Sequence, residues 1–384
     1  MNITFLIGNG FDVGLGMKSR FIDFFPVYKE KSKNKEKRIK QLSDSIDGNY
    51  ETWADFEKAL GKYTLEFNSE NKNDFIDQVK DFESEFIAYL KQQESNLSFE
   101  NTEQISNMMI NGLTQYYSTD YLAKDSATDI TNVYNLYISY EHTYNFVNFN
   151  YTSLLSKSLQ CISQNVVCKR KYGDAVLTDK IGKIVHVHGY CDNLPIIGVN
   201  DTNQIANKEL ANDLRFARYI VKPTINKYLR QGNDRDTTSV IKDSTIICVY
   251  GMSLGATDRK WWDLLMQWLK SNDYHHLVLF IYDKNYSSAT PFGWLEKEDS
   301  IIDLFKQYVS NNGTSVDNMR SRIHIAVHKN IFQMNLMPKR NKNESKIMLD
   351  NEITLMNQAI ELPQKYRDEI AITKEFSQLI TGAK

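Results

Sequence analysis

Residues 3–12 read Ile3-Thr4-Phe5-Leu6-Ile7-Gly8-Asn9-Gly10-Phe11-Asp12. Residues 2–7 are short, apolar and β-branched, as expected of a strand covered on both faces, and the glycine-rich turn behind them is the first strong break in the chain. Gly8 and Gly10 would let the backbone turn sharply and approach a pyrophosphate, with their amide N–H groups as donors. An ordinary tight turn between strand and helix is the competing account. A dinucleotide fingerprint asks for a third glycine, but position 13 is Val13 and the next glycine is Gly14. It also asks for an acidic ribose contact about 20 residues on, after a second strand, and no such strand follows. The dehydrogenase reading therefore fails, while nucleotide binding survives.

Working outward from this loop, residues 20–140 turn long, charged and helical, clearest around Trp53-Ala54-Asp55-Phe56-Glu57, 74–92 and 103–117. Strand signals return at 143–149, 181–187, 194–199, 244–250, 277–282 and 322–327, with helical patterns at 208–230 and 258–270 between some of them. Such alternation predicts an α/β fold, a mostly parallel Rossmann-like sheet with helices on both faces. The expected organisation is a nucleotide-binding core from 1–18 and 141–335, a helical insertion over 19–140 and a C-terminal helical segment over 336–384.

Composition narrows the class. The 384 residues are 41% hydrophobic and 24% charged, so a packed core can form. A net charge of −2 argues against a nucleic-acid partner. The basic run at 29–40 reads first as a solvated helix face, with nucleic acid or a partner's acidic patch as the alternatives. The four cysteines form no zinc or C-x-x-C spacing, which fits a reduced, cytoplasmic life. The start of the chain does not read as a signal peptide, and its longest apolar run, 277–282, is far short of the ~20 residues that span a bilayer. No membrane association is expected.

Ligands of open parallel sheets bind beyond the carboxyl ends of the strands. Five motifs directly follow predicted strands: Gly8-Asn9-Gly10-Phe11-Asp12, Asn148-Phe149-Asn150-Tyr151-Thr152, His186-Val187-His188-Gly189-Tyr190, Gly198-Val199-Asn200-Asp201 and Gly251-Met252-Ser253-Leu254. Alternation puts His186 and His188 on one face of their strand. His186 reads as a histidine satisfied within the sheet and His188 as the one that reaches the cleft. Two histidines two apart suggest a metal, but no third ligand is evident and none is predicted. Asn150 can hold a water or a ribose hydroxyl. Thr152 reads as the N-cap of the next helix and Asn148 as a cap or turn residue. Asp258 opens a helix whose Trp261, Leu264, Leu265 and Trp268 form a core face; a helix-dipole contact is the plain account of it.

Taken in order, the first strand and its loop, Trp53 with Glu57, Phe149-Asn150-Tyr151-Thr152, His186-Val187-His188-Gly189 and Gly251-Met252-Ser253-Leu254 ahead of Asp258 resemble the bacteriophage abortive infection AbiH family. The spacing is similar, more distantly, to the sirtuin fold. That likeness would give Gly8, Asn9, Gly10, Phe11 and Asp12 to the first cofactor loop, Asn148, Asn150 and Thr152 to the second motif, His188 to the catalytic histidine, and Gly251, Ser253 and Asp258 to further cofactor contacts. Asn148 and Thr152 replace the sirtuin Thr and Asp, and the sirtuin zinc pairs are absent, so protein deacylation is not expected.

The resemblance implies an antiphage effector that hydrolyses NAD to nicotinamide and ADP-ribose, NAD being substrate or ligand. His188 would be the base on water or a ribose hydroxyl and Asn150 would orient the water. Asp12 would contact ribose or stabilise developing positive charge, with cap and turn roles equally open to it. A non-hydrolytic NAD or ADP-ribose sensor and a nuclease-type toxin are the alternatives. A phage-derived trigger, a partner protein and a homo-oligomer are expectations that the sequence leaves open, as it does NAD against NADP.

Overall fold

The computed structural model describes residues 1–336 apart from 52, 54, 284–285, 287–290 and 309–315. The expected C-terminal helical segment, 336–384, lies outside the described residues except for Leu336.

Seven strands form one sheet: β1 (Asn2–Ile7), β2 (Thr143–Asn148), β3 (Val166–Tyr172), β4 (Ala175–His186), β5 (Ile246–Tyr250), β6 (His276–Ile281) and β7 (Ile323–Val327), in the order β3-β4-β2-β1-β5-β6-β7. Every pairing is parallel except β3 with β4. The mixed α/β, mostly parallel sheet expected from the sequence is therefore present. From central β1 the chain builds outward through β2, the adjoining β4 and its hairpin partner β3. It then crosses back to place β5 on the other side of β1. The strand order reverses at that crossing, and reversal opens a crevice beyond the carboxyl ends of β1, β2 and β5.

The apolar run of β1 explains its central place, because both of its faces are buried. Ile3, Phe5 and Ile7 join an apolar cluster on one face, and Leu6 joins a second cluster on the other. The first cluster is completed by helices that follow β1: α1 (Gly10–Gly14), α2 (Phe21–Ser32), α3 (Lys37–Gly48), α4 (Phe56–Tyr63), α5 (Lys72–Ser95), α6 (Thr102–Gln115) and α7 (Lys124–Leu136). The Phe5 ring meets Tyr116 edge-on at 5.5 Å and stacks on Phe146 at 5.8 Å, so the insertion packs directly on the sheet. Helix α8 (Leu154–Gln160) joins the first cluster on the same face, and across the sheet α12 (Asn233–Lys242), α13 (Arg259–Ser271) and α14 (Pro291–Tyr308) build the second. As expected, Trp261, Leu265 and Trp268 are buried in core.

Three expectations need correcting. Strand β3 falls where no strand is expected, because Lys169, Arg170 and Lys171 hide its pattern; such charges are common on an edge strand. The two-residue turn between Tyr172 and Ala175, with Gly173 at φ +56°, is the signal for it. Residues 194–199 are no strand, only a bridge from Val199 to Val221. Pro195 lacks a ladder donor, and a Cβ on Gly198 would lie 2.1 Å from the Ile220 carbonyl oxygen, so this apolar run, buried over 196–199, packs as a loop. The helix expected over 208–230 is three pieces, α9 (Lys208–Ala211), α10 (Leu214–Ile220) and α11 (Lys222–Leu229). Asp213 breaks it by accepting from the amides of Arg215 and Phe216.

The basic run at 29–40 lies along α2 and α3 facing acidic residues of α5. Lys31 pairs with Glu85 at 2.6 Å, Lys35 with Asp81 at 2.6 Å and Glu85 at 2.8 Å, and Arg38 with Asp77 at 2.8 Å. Among the described residues no helix is long and apolar enough to cross a membrane.

Candidate functional site

The crevice at the strand reversal is a cleft of about 260 Å³. Its lining brings together Gly8 and Asn9 from the turn after β1, Asp12 from α1, Asn150 and Thr152 after β2, and Gly251, Ser253 and Asp258 after β5. Eight residues singled out from the sequence thus share one cavity. Gly10, Phe11, Asn148 and His188 do not line it. Phe11 is fully buried with its ring 5.5 Å from Phe332, so it anchors α1 in the core.

The glycines owe their identity to one another. The Gly8 amide donates to the Tyr250 carbonyl at 2.9 Å and the Gly10 amide to that of Gly251 at 2.8 Å. A Cβ on Gly10 would stand 2.5 Å from the Gly251 Cα, and one on Gly8 would stand 2.7 Å from the Gly251 carbonyl oxygen. Gly251 itself sits at φ +69°. The two amides that the sequence suggested as phosphate donors thus lock the β1 turn to the β5 turn. The glycines shape the cleft by letting these turns touch.

Asp12 forms the floor and is buried. Its Oδ1 accepts from Asn150 Nδ2 at 3.0 Å and its Oδ2 from Thr152 Oγ1 at 2.7 Å. Asn150 Nδ2 also donates to the Gly8 carbonyl at 3.1 Å, and the Asn150 amide donates to Asn148 Oδ1 at 3.1 Å. Burial disfavours the charged form more than these donors favour it, so the Asp12 carboxyl is pushed up to about 7. Thr152 is not the N-cap expected of it. Ser153 holds that position ahead of α8, and the Thr152 hydroxyl is turned to the carboxylate instead. Glu94 from α5 meets that helix end, accepting from the Ser153 amide at 3.1 Å and from Lys157 at 2.5 Å. On the opposite wall Asp258 is pushed up to about 7 as well, by burial first and then by Glu57, with Lys222 opposing.

His186 behaves as expected for a histidine held within the sheet. Its Nδ1 lies 3.4 Å from Asn148 Nδ2 and its Nε2 lies 3.2 Å from Ser156 Oγ. His188 sits behind Phe149 and Tyr151, with ring centres 5.9 and 6.3 Å away, and lines a separate small void with Asn200, Lys222 and Lys260. Burial and the two lysines hold its imidazole well below the usual value, which keeps it neutral.

Ser19, Phe86, Leu90, Glu94 and Lys222 take part without having been singled out from the sequence. Lys222 is buried and ion-paired to Glu57, whose other oxygen accepts from Asn200 Nδ2 at 2.9 Å. Phe86 and Leu90 of α5 wall the cleft, and Phe86 meets Tyr151 edge-on at 6.0 Å. A lysine inside a helical run and two apolar residues on an amphipathic helix carry no local mark of a site. Only Glu57 stood in a motif.

Beyond the geometry, comparison with known proteins gives one family and no significantly similar curated protein. A model of the family described as bacteriophage abortive infection AbiH matches residues 4–280, a stretch that runs from β1 into β6 and contains every residue of the cleft lining. With that coverage, the chain belongs to the bacteriophage abortive infection AbiH family, and its role is in antiphage abortive infection.

Proposed function

We propose that the cleft binds a nucleotide of the NAD type and cleaves the bond between nicotinamide and ribose, making the chain a nucleotide-depleting effector. The observation that carries this reading is the buried Asp12 carboxyl, pinned by Asn150 and Thr152 on the cleft floor and poised to titrate near neutrality. A carboxyl fixed in this way supports stabilisation of developing positive charge, and the second perturbed carboxyl of the cleft, Asp258, suits proton transfer at neutral pH. Leaving aside antiparallel β3, the strand order also matches the doubly wound dinucleotide-binding arrangement, with this cleft at its switch point.

At about 260 Å³ the cleft is slightly smaller than the roughly 300–1,000 Å³ of a drug-sized site, so it encloses a nucleoside-sized part of the substrate. The C1′–N bond breaks with its electron pair going to nicotinamide, and water oxygen adds to C1′. The fixed Asp12 carboxylate stabilises the oxocarbenium-like charge, and Asp258 across the cleft takes the proton that water gives up. His188, behind the Phe149 and Tyr151 rings, is a supporting rather than a proton-accepting group in this scheme. The same placement favours a second reading, a sensor that binds the nucleotide without cleaving it.

Incubating the purified protein with NAD, with and without phage lysate, and following nicotinamide release alongside calorimetric binding separates the readings. Release lost in Asp12→Asn and Asp258→Asn is the expected result. Binding without release in any condition supports the sensor, and neither binding nor release overturns nucleotide recognition at this cleft.

A further inference from the structure

The small void beside His188 lies outside the cleft and is faced by His188, Asn200, Lys222, Asn226, Thr257 and Lys260. Two buried polar atoms on its lining residues, His188 Nδ1 and Asn226 Oδ1, find no hydrogen-bond partner among the described residues. Both side chains are more than nine-tenths buried, His188 at 7% exposure and Asn226 at 6%. Leaving two such atoms unsatisfied carries a desolvation cost that native interiors avoid. The void measures about 20 Å³, above the roughly 10–15 Å³ that one water needs.

We infer that this void binds a single water molecule that donates one hydrogen to Asn226 Oδ1 and the other to His188 Nδ1. Asn226 thereby becomes a positioning residue that fixes the imidazole as the Nε2–H tautomer. The charges around the void assign the direction of the second bond. Lys222, Lys260 and Asp234 all lie on its lining; Asp234 is paired with Lys260, and the charges that act on the ring are those of the two lysines. Two ammonium groups favour a lone pair rather than an N–H on the side of the ring they face, so Nδ1 accepts. Lys222 shares its charge with Glu57, and Lys260 bonds Asp234 at 2.7 Å and lies 4.6 Å over the Trp261 ring, so both are held in place. Asn226 is held from its other end, where Nδ2 meets Asp234 Oδ1 at 3.4 Å.

This reverses the role that the sequence suggested for His188. A ring locked as Nε2–H presents a hydrogen-bond donor, not a base, at Nε2. The inference concerns the void alone and stands whatever the cleft binds.

Nitrogen-15 NMR of histidine-labelled protein reads the tautomer of each of the seven histidines, with His188→Gln identifying the signal. The expected wild-type result is a neutral ring, pyridine-like at Nδ1 and N–H at Nε2, that does not titrate between pH 8 and 6. Asn226→Leu, which removes the acceptor, should lose that pattern to a mixture of tautomers. An Nδ1–H tautomer in the wild type, or a pattern unchanged in Asn226→Leu, overturns the inference. The wild-type measurement decides even if a variant fails to fold, and a high-resolution crystal structure with no water density between the two atoms would overturn it independently.

Discussion

Replacing Asp12 by Asn should make the protein more stable and inactive, and the gain should depend on pH in a way that the cleft geometry dictates. Asn keeps the shape and the hydrogen bonds: Oδ1 can accept from Asn150 Nδ2, and the Nδ2 group can donate to Thr152 Oγ1, a hydroxyl able to accept as well as donate. What it removes is an ionisable group pushed from 3.8 up to about 7 by burial. The direction follows from proton linkage. Between those two values the unfolded chain has lost the proton and the folded chain still holds it, so the unfolded state gains about 1.4 kcal/mol for each unit of rising pH. The wild type loses stability over this window and stops losing it above about pH 7. Relative to wild type, Asp12→Asn should therefore gain about 2 kcal/mol at pH 5.5 and about 4 kcal/mol at pH 8, as upper values, with a plateau above neutrality. Urea unfolding of both proteins at half-unit steps from pH 5 to 8.5, with nicotinamide release in parallel, measures this. A difference that does not change with pH, or a variant less stable than wild type at pH 8, would refute the assignment of a strained carboxyl to the cleft floor.

Gly10→Ala sets a Cβ against the Gly251 backbone and parts the two turns, so it should lose about 2–4 kcal/mol by chemical denaturation, whereas Gly48→Ala, which meets nothing within 4 Å, should be neutral or stabilising. Thr152→Val removes one donor to Asp12 and should move the acidic limb of any cleft activity to higher pH, visible in a pH–rate profile. Lys222→Met leaves the Glu57 carboxylate without its cation and should lose about 3–5 kcal/mol, with Glu57→Gln added to it restoring part of the loss in a double-mutant cycle. His276 and His324, 2.8 Å apart on neighbouring strands, are held at about 4 and about 3 by burial. Their unfolded forms bind protons first, so stability should fall as pH drops below about 6.5, and His324→Gln should flatten that fall in thermal scans.

The strand-end positions of the site were legible because they follow apolar runs with abrupt polar or glycine endings, and a parallel sheet must gather such ends at one edge. Gly8, Asp12, Asn150, Thr152, Gly251 and Ser253 were found that way. Their jobs were less legible, since a job depends on the partner across space. Gly8 and Gly10 looked like phosphate donors and turn out to bond the β5 turn, and Thr152 looked like a cap and bonds Asp12. The order of the strands was out of reach of periodicity, so nothing in the sequence said that β5 would lie beside β1. Edge strand β3 was masked by its own lysines and arginine, and residues 194–199 showed that an apolar run can be a loop when Pro195 and Gly198 interrupt it.

Helix α5 touches the site along its C-terminal turns: Phe86 and Leu90 wall the cleft, and Glu94 holds the Ser153 end of α8. Whatever moves the C-terminal turns of α5 therefore acts on the cleft without an intermediary. The insertion cannot be exchanged like a cartridge between related chains, because exchanging it would rewrite part of the binding wall, and any protein grafted together in this way would inherit a different ligand preference along with its new surface.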